Sequence, residues 1–169
     1  MNVLETPRLS MRHLSTEDAD FTLELLNEPA YIKNIADRGV RTLDDARAYI
    51  TDGPVASYEK NGFGLCLVAL KESSLPIGMC GLIKRDTLED VDLGYAFLER
   101  FWGKGYANEA GAAMLDYGRS VIGLKRIVAI TAPDNDGSIR VLKKLGFQLE
   151  KSFMMPGYEG ESLLFGSSS

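Results

Sequence analysis

The sequence predicts an α/β (α+β) domain, a mixed central sheet of about seven strands flanked by helices. Strand-length apolar runs and amphipathic helical stretches follow one another in the order βααβββαβαββ. The length, 169 residues, is that of one domain, and no internal repeat, heptad or low-complexity block divides it. With 45% hydrophobic and 25% charged residues, the chain has the composition of a protein that builds a core, not of a disordered one.

Leu9 to Leu14 alternates apolar and polar positions as a half-buried strand does. Ser15-Thr16-Glu17-Asp18 then supplies cap and acidic first-turn chemistry for a helix to about Asn27. Thr42-Leu43-Asp44-Asp45 resembles a capping box opening a second helix toward Asp52, interrupted by Gly53-Pro54. The apolar runs Leu65 to Leu70 and Ile77 to Ile83, separated by Ser73-Ser74-Leu75-Pro76, form a hairpin, and Val91 to Phe97 is the next strand. From Gly105 to Ile122 the residues Ala107, Ala110, Met114, Tyr117 and Val121 recur at helical spacing. Arg126 to Thr131 is again strand, Ser138 to Leu145 is a helix closed by Gly146, and short strands near Leu149 to Met155 and Ser162 to Phe165 follow. One domain over 1–169 is expected, with 166–169 as a flexible tail.

Nineteen Lys and Arg against 24 Asp and Glu give a net charge of -5 with no long basic run, which excludes a phosphate-tracking nucleic-acid binder. Met1 to Pro7 lacks the basic and apolar regions of a signal peptide, and the run Leu65 to Leu70 is too short to span a bilayer. A cytoplasmic protein without membrane association is expected. Cys66 and Cys80, 14 positions apart in apolar segments, form neither a redox pair nor a zinc pattern and are expected as buried thiols. His13 is the sole histidine, so no metal site and no Ser-His-Asp triad is expected.

The segment Trp102-Gly103-Lys104-Gly105-Tyr106-Ala107 follows a strand and opens a helix. Glycines let backbone amides approach an anion, the first helical turn leaves N–H groups unpaired, and Lys104 adds positive charge. A dinucleotide fingerprint would need an acidic residue about 20 positions on, where Lys125 and Arg126 stand. A Walker A loop would need Ser or Thr after its lysine, and Lys104 is followed by Gly105.

The segment instead resembles the acyl-CoA signature of the GNAT acetyltransferase superfamily, Arg/Gln-x-x-Gly-x-Gly/Ala, with Trp102 in the first position followed by Gly105 and Ala107. Asn135-Asp136-Gly137-Ser138 through Leu145-Gly146-Phe147 is similar to the Asn-x-x-Ser helix of that superfamily, which ends in Gly-Phe. Glu5-Thr6-Pro7-Arg8-Leu9 and the stretch from Gly94-Tyr95 to Asn108-Glu109-Ala110 resemble the ribosomal-protein N-acetyltransferase (RimJ/RimL-type) branch, in which tryptophan takes the first signature position. The resemblance covers nearly the whole chain.

It implies a GNAT-like domain with a V-shaped splay between the fourth and fifth strands, Val91 to Phe97 and Arg126 to Thr131, and acetyl-CoA as cosubstrate with no metal. The backbone around Tyr95, Ala96 and Phe97 would meet pantetheine and the thioester, while the side chains of Tyr95 and Phe97 pack in the core. Trp102, Gly103, Lys104, Gly105, Tyr106 and Ala107 would hold the pyrophosphate, Asn135 would contact the cofactor, and Arg140, Lys143 and Lys144 would face the adenosine phosphate. An amine with a pKa of about 10 must lose a proton before attack. Asp92 is the first candidate base, with Asp90 and Glu99 in reserve; a strand-edge charge facing solvent is its alternative reading. Many superfamily members place a tyrosine general acid where this chain has Leu142, so the resemblance assigns proton donation to Ser138, against a role as helix cap. Glu109 is expected to make a structural hydrogen bond. The implied activity is acetyl transfer from CoA to a primary amine, on a protein N-terminus or on a small molecule such as an antibiotic or polyamine, by a monomer or homodimer. Glu28, Asp37, Asp44, Asp45 and Glu59 are placed to attract a cationic amine. A non-catalytic acyl-CoA-binding module is the remaining reading.

Overall fold

The computed structural model describes residues 2–158 and 160–168. Eight strands form one sheet in the order β1-β2-β3-β4-β5-β6-β8-β7: β1 (Asn2–Glu5), β2 (Leu9–His13), β3 (Leu65–Leu70), β4 (Pro76–Ile83), β5 (Val91–Phe97), β6 (Arg126–Thr131), β7 (Gln148–Phe153) and β8 (Ser162–Ser168). Neighbours run antiparallel except β5 and β6, which are parallel. The helices are α1 (Ala19–Leu26), α2 (Pro29–Asn34), α3 (Leu43–Ile50), α4 (Ala56–Asn61), α5 (Tyr106–Tyr117) and α6 (Asp136–Lys144). Among the described residues, no helix is long and apolar enough to cross a membrane.

The unbroken apolar run of β3 reflects burial on both faces of the sheet. Its alternate residues Cys66 and Val68 join a core containing Met11, Leu82, Leu93, Met114 and Phe165, beneath α5. Leu67 and Ala69 point into a second core with Leu25, Leu26, Ile50 and Met79, beneath α1 and α3. Cys66 and Cys80 are free and buried, as expected, and burial pushes the Cys66 thiol up to about 12.

Four features depart from expectation. β1 is a strand although its sequence does not alternate; it is an edge strand, and Val3 and Leu4 pack only partly against the core. The short helices α2 and α4 carry too few turns to show a period. Gly53-Pro54 does not end its helix: Thr51–Val55 widens into a π turn that joins α3 to α4, with Pro54 inside it. Such a turn shifts the hydrogen-bond ladder and accommodates the missing proline N–H. Finally, 166–168 is not a loose tail: Gly166 pairs with Val128 and Gln148, and Ser167 with Ile127, in the interior of the sheet. Backbone pairing, not side-chain content, holds this stretch, so its Gly-Ser composition misleads; residue 169 lies outside the described residues.

The connection between β1 and β2 is tied to the start of α5 through Glu109. Its Oε2 accepts from Thr6 Oγ1 at 2.5 Å and from the Arg8 amide at 3.0 Å, and its Oε1 accepts from Arg8 Nε at 2.7 Å. Burial opposes ionisation of Glu109, but the hydrogen bonds from Thr6 and Arg8 outweigh it and hold the carboxyl below the usual glutamate value. A depressed native pKa adds stability above the unfolded pKa that is lost as pH falls through the native one. Glu109→Gln should lower unfolding free energy at pH 7 by about 1–2 kcal/mol, and the difference from wild type should shrink below about pH 4.5. Urea melts at pH 7 and pH 4 measure both; an unchanged difference would show that the charge of Glu109 contributes nothing.

Candidate active site

β5 and β6 pair only at Val91–Ile127 and Asp92–Val128. Beyond these rungs β5 stays bonded to β4 as far as Phe97, and β6 to β8 as far as Thr131. The facing edges therefore part, which is the expected V-shaped splay, now between the fifth and sixth strands because β1 precedes them. Backbone groups on the parted edges have no strand partner and open onto a cavity of about 1350 Å³ lined by Leu93 to Phe97 and Ala129 to Thr131.

The glycine turn closes one end of this cavity. Gly103 and Gly105 adopt φ of 76° and 84°, which only glycine adopts readily, and Gly105 caps α5 without any side-chain hydrogen bond. The first ladder bond of the helix runs from the Glu109 amide to the Gly105 carbonyl, so the amides of Tyr106, Ala107 and Asn108 have no partner within it. Gly103, Gly105, Tyr106 and Ala107 line the cavity with Trp102, whose Nε1 donates to the Phe97 carbonyl at 2.8 Å and so pins the half-exposed ring to the end of β5. The Lys104 side chain is exposed and forms no part of the wall, whereas its carbonyl accepts from Arg8 Nη1 at 3.0 Å. Arg140, Lys143 and Lys144 do line the cavity.

Ser138 stands in the first turn of α6 without capping it. That task belongs to Asn135, whose Oδ1 accepts from the Ser138 amide at 3.2 Å, and both residues line the cavity. Ser138 Oγ lies 2.9 Å from Tyr95 Oη, which also donates to the Ser138 carbonyl at 3.3 Å. Tyr95 does pack against the core as expected, but its hydroxyl reaches across the splay from β5 to α6. Burial, against the bond to Ser138, pushes this phenol up to about 12, so it stays protonated at neutral pH. Leu142 is buried in the core.

Asp92 is not a solvent-facing charge: its side chain is 1% exposed and its Oδ1 accepts from Arg85 Nε at 3.0 Å. Burial raises the Asp92 pKa, and Arg85 counters this only in part. Arg85 Nη1 donates to Tyr158 Oη at 3.3 Å, Arg38 Nη2 donates to the same oxygen at 3.4 Å, and Arg38 Nε donates to Tyr31 Oη at 3.3 Å. Burial works to raise the Tyr158 pKa, but the two arginines outweigh it and bring the phenol below its ordinary value. The reserve carboxylates stand elsewhere: Asp90 pairs with Arg126, and Glu99 is exposed outside the cavity. Of the acidic residues expected to attract an amine, only Asp37 lines the cavity, and it pairs with Arg41. Arg85, Tyr158, Arg38 and Tyr31 come from separate loops and a short helix, and no spacing in the sequence brings them together.

The chain matches the acetyltransferase (GNAT) domain family over residues 8–148 and belongs to that family. It is 32% identical over 151 residues to p20, an uncharacterized N-acetyltransferase of Bacillus licheniformis, covering 89% of this chain and 84% of that protein. Among solved structures it superposes on a GNAT-family acetyltransferase from Bacillus anthracis with a TM-score of 0.82 and 26% identity, over 99% of this chain and 98% of that one. Its fold also matches RimL, a ribosomal alpha-N-protein acetyltransferase in complex with coenzyme A, with a TM-score of 0.85 and 14% identity over 99% and 98% of the two chains. The protein is thus an N-acetyltransferase.

The glycine turn generates a test of its own. A Cβ at Gly105 would stand 3.3 Å from Arg8 Nη2 on a backbone of positive φ. Gly105→Ala should destabilise the fold by about 1–2 kcal/mol, read as a lower urea midpoint at unchanged slope. An unchanged midpoint would mean that the turn relaxes to another conformation at no cost.

Proposed function

We propose that the protein moves an acetyl group from acetyl-CoA to a primary amine by direct attack in a ternary complex, as a member of the RimJ/RimL-type branch. The observation that carries this reading is the pair of parted strand edges ending at a turn of unpaired amides. A narrow slot with free backbone donors and acceptors fits pantetheine, and a helix start preceded by glycines fits a pyrophosphate. Arg140, Lys143 and Lys144 on the adjoining wall fit the remaining phosphate.

Bound acetyl-CoA would supply a thioester carbonyl, so that a carbon–nitrogen bond replaces a carbon–sulfur bond. In this reading a backbone amide from Tyr95 to Phe97 donates to the carbonyl oxygen as charge develops on it. Asp92, directly or through a water, takes the proton that the amine loses, and its raised pKa makes it a better acceptor near neutrality than an ordinary carboxylate. Ser138 Oγ gives a proton to the departing sulfur as Tyr95 Oη gives its own to Ser138 Oγ, and solvent then returns a proton to the phenolate. The lone histidine has no part in this chemistry: His13 stacks on Tyr58 at 3.7 Å, outside the cavity wall.

Acetyl-CoA at 100 times its dissociation constant should stabilise the protein by about 2.7 kcal/mol, visible as a rise in Tm that NAD and ATP do not give. Absence of that rise, with no thiol released from acetyl-CoA by any amine, would overturn the reading. Asp92→Asn keeps an oxygen for Arg85 and should preserve the acetyl-CoA shift while lowering kcat by about 10²-fold or more. The acidic limb of the wild-type kcat/KM profile should lie above the ordinary carboxylate range and vanish in this variant. Ser138→Ala and Tyr95→Phe should each cost about tenfold in kcat, and the double variant little more, because they act on one proton. Wild-type kcat in Asp92→Asn would remove it as the base.

A further inference from the structure

The far arm of the cavity, beyond Asp92, presents donors without acceptors. Tyr158 Oη accepts from both Arg85 and Arg38, so its own O–H must be donated onward, and it has no acceptor among the described residues. Arg38 spends two of its N–H groups on Tyr158 and Tyr31, pairs with no carboxylate among the described residues, and keeps the rest of its planar fork for another partner. Tyr31 accepts from Arg38, and its hydroxyl lies beside that of Tyr49 on the same wall. The carboxylates of this wall are differently placed. Asp92 is taken by Arg85 and Asp37 by Arg41, whereas Glu161 stands exposed beside the Ser152 hydroxyl. A polyamine needs several free carboxylates, and among the described residues this wall offers it one against a guanidinium that pairs with none of them.

From this arrangement we infer that the amine acetylated by this protein is a small molecule that also carries an oxyanion, of which a carboxylate is the simplest, seated on Arg38 with the hydroxyls of Tyr31 and Tyr158. The inference rests on the acetyl-transfer reading of the same cavity. A guanidinium and two phenols supply donors that the oxygens of such a group can accept, and a guanidinium fork binds it more tightly than it binds any neutral group. Held there, the substrate presents its amine on the Asp92 side of the anchor, toward the splay. The relation to the acidic surface is inverse to that expected from the sequence: the site selects for negative charge beside the amine, not for additional positive charge.

The test compares each of the twenty amino acids with its own carboxamide, with aminoalkylphosphonates as a second oxyanion and spermidine as the polycation, by thiol release from acetyl-CoA. The best amino acid should exceed its carboxamide in kcat/KM by about tenfold or more, and spermidine should fall below both. Arg38→Gln, shown to be folded by a normal acetyl-CoA shift, should lower the acid-to-amide ratio by about tenfold, a comparison in which the different basicities of the two amines cancel. A phosphonate that outperforms the carboxylates would keep the inference and name the oxyanion. With CoA bound, calorimetry of N-acetylated amino acids against their carboxamides reads the same preference without turnover. Preference for carboxamides or spermidine, or an acid-to-amide ratio untouched by Arg38→Gln, would overturn it. If acetyl-CoA itself gives neither shift nor thiol, the acetyl-transfer reading has failed; a normal shift with no preference for the oxyanion defeats this inference alone.

Discussion

Two parallel rungs, Val91 with Ile127 and Asp92 with Val128, join the two halves of the sheet, and the cavity between them depends on their stopping there. Backbone groups inside a sheet are ordinarily paired, and leaving them unpaired in a buried place costs free energy. Here each parted strand keeps its outer partner, β4 for β5 and β8 for β6, so the sheet survives while one edge of each strand is released. The released edges are donors and acceptors held rigidly apart on a packed core. A ligand that restores the missing pairing meets a surface already formed.

The polar side chains around the gap are organised by the same separation. Asp92 occupies the last joined rung and is buried there, which requires a counter-ion; Arg85 provides it and in turn reaches Tyr158 and, through it, Arg38. On the other side Tyr95 spans the opening to Ser138 at the start of α6. Burial moves Asp92 and Tyr95 in the same direction but with opposite consequences: the carboxylate becomes a better proton acceptor, and the phenol holds its proton more firmly. The gap thus separates a carboxylate that accepts a proton more readily than usual from a pair of hydroxyls that stay protonated at neutral pH.

Rigidity at the mouth comes from a different source. Glu109 joins Thr6 and Arg8 to the first turn of α5, and Arg8 reaches on to the Lys104 carbonyl within the glycine turn. The chain's second strand and its longest α-helix are thereby locked around the segment whose amides remain free. This gives the opening Thr6-Pro7-Arg8 a physical purpose at a distance of about 100 residues in sequence.

Much of this was legible in the sequence because it is local. Alternation and helical spacing mark most of the strands and the helices α1, α3, α5 and α6, and Trp102 to Ala107 with Asn135 to Phe147 carry the resemblance to the acyl-CoA signature. Edge strand β1, the short α2 and α4, and the pairing of 166–168 were not legible, since an exposed edge, a two-turn helix and a Gly-Ser strand leave no periodic trace. Nor was the charge at the far arm of the cavity. Asp37, Asp44 and Asp45 are abundant and near in sequence, yet arginine pairing occupies Asp37 and Asp44, and Asp45 accepts from the Arg41 amide in the cap of α3. Arg38, Arg85, Tyr31 and Tyr158, spread over more than a hundred positions, meet only when the α2–α3 and β7–β8 connections fold over the end of the sheet. Local spacing determined the fold class and the glycine turn that opens α5 because backbone periodicity and glycine conformation are properties of neighbouring residues. Tertiary structure decided which charges line the cavity unpaired, because pairing and burial depend on residues that only the folded chain brings within hydrogen-bond reach.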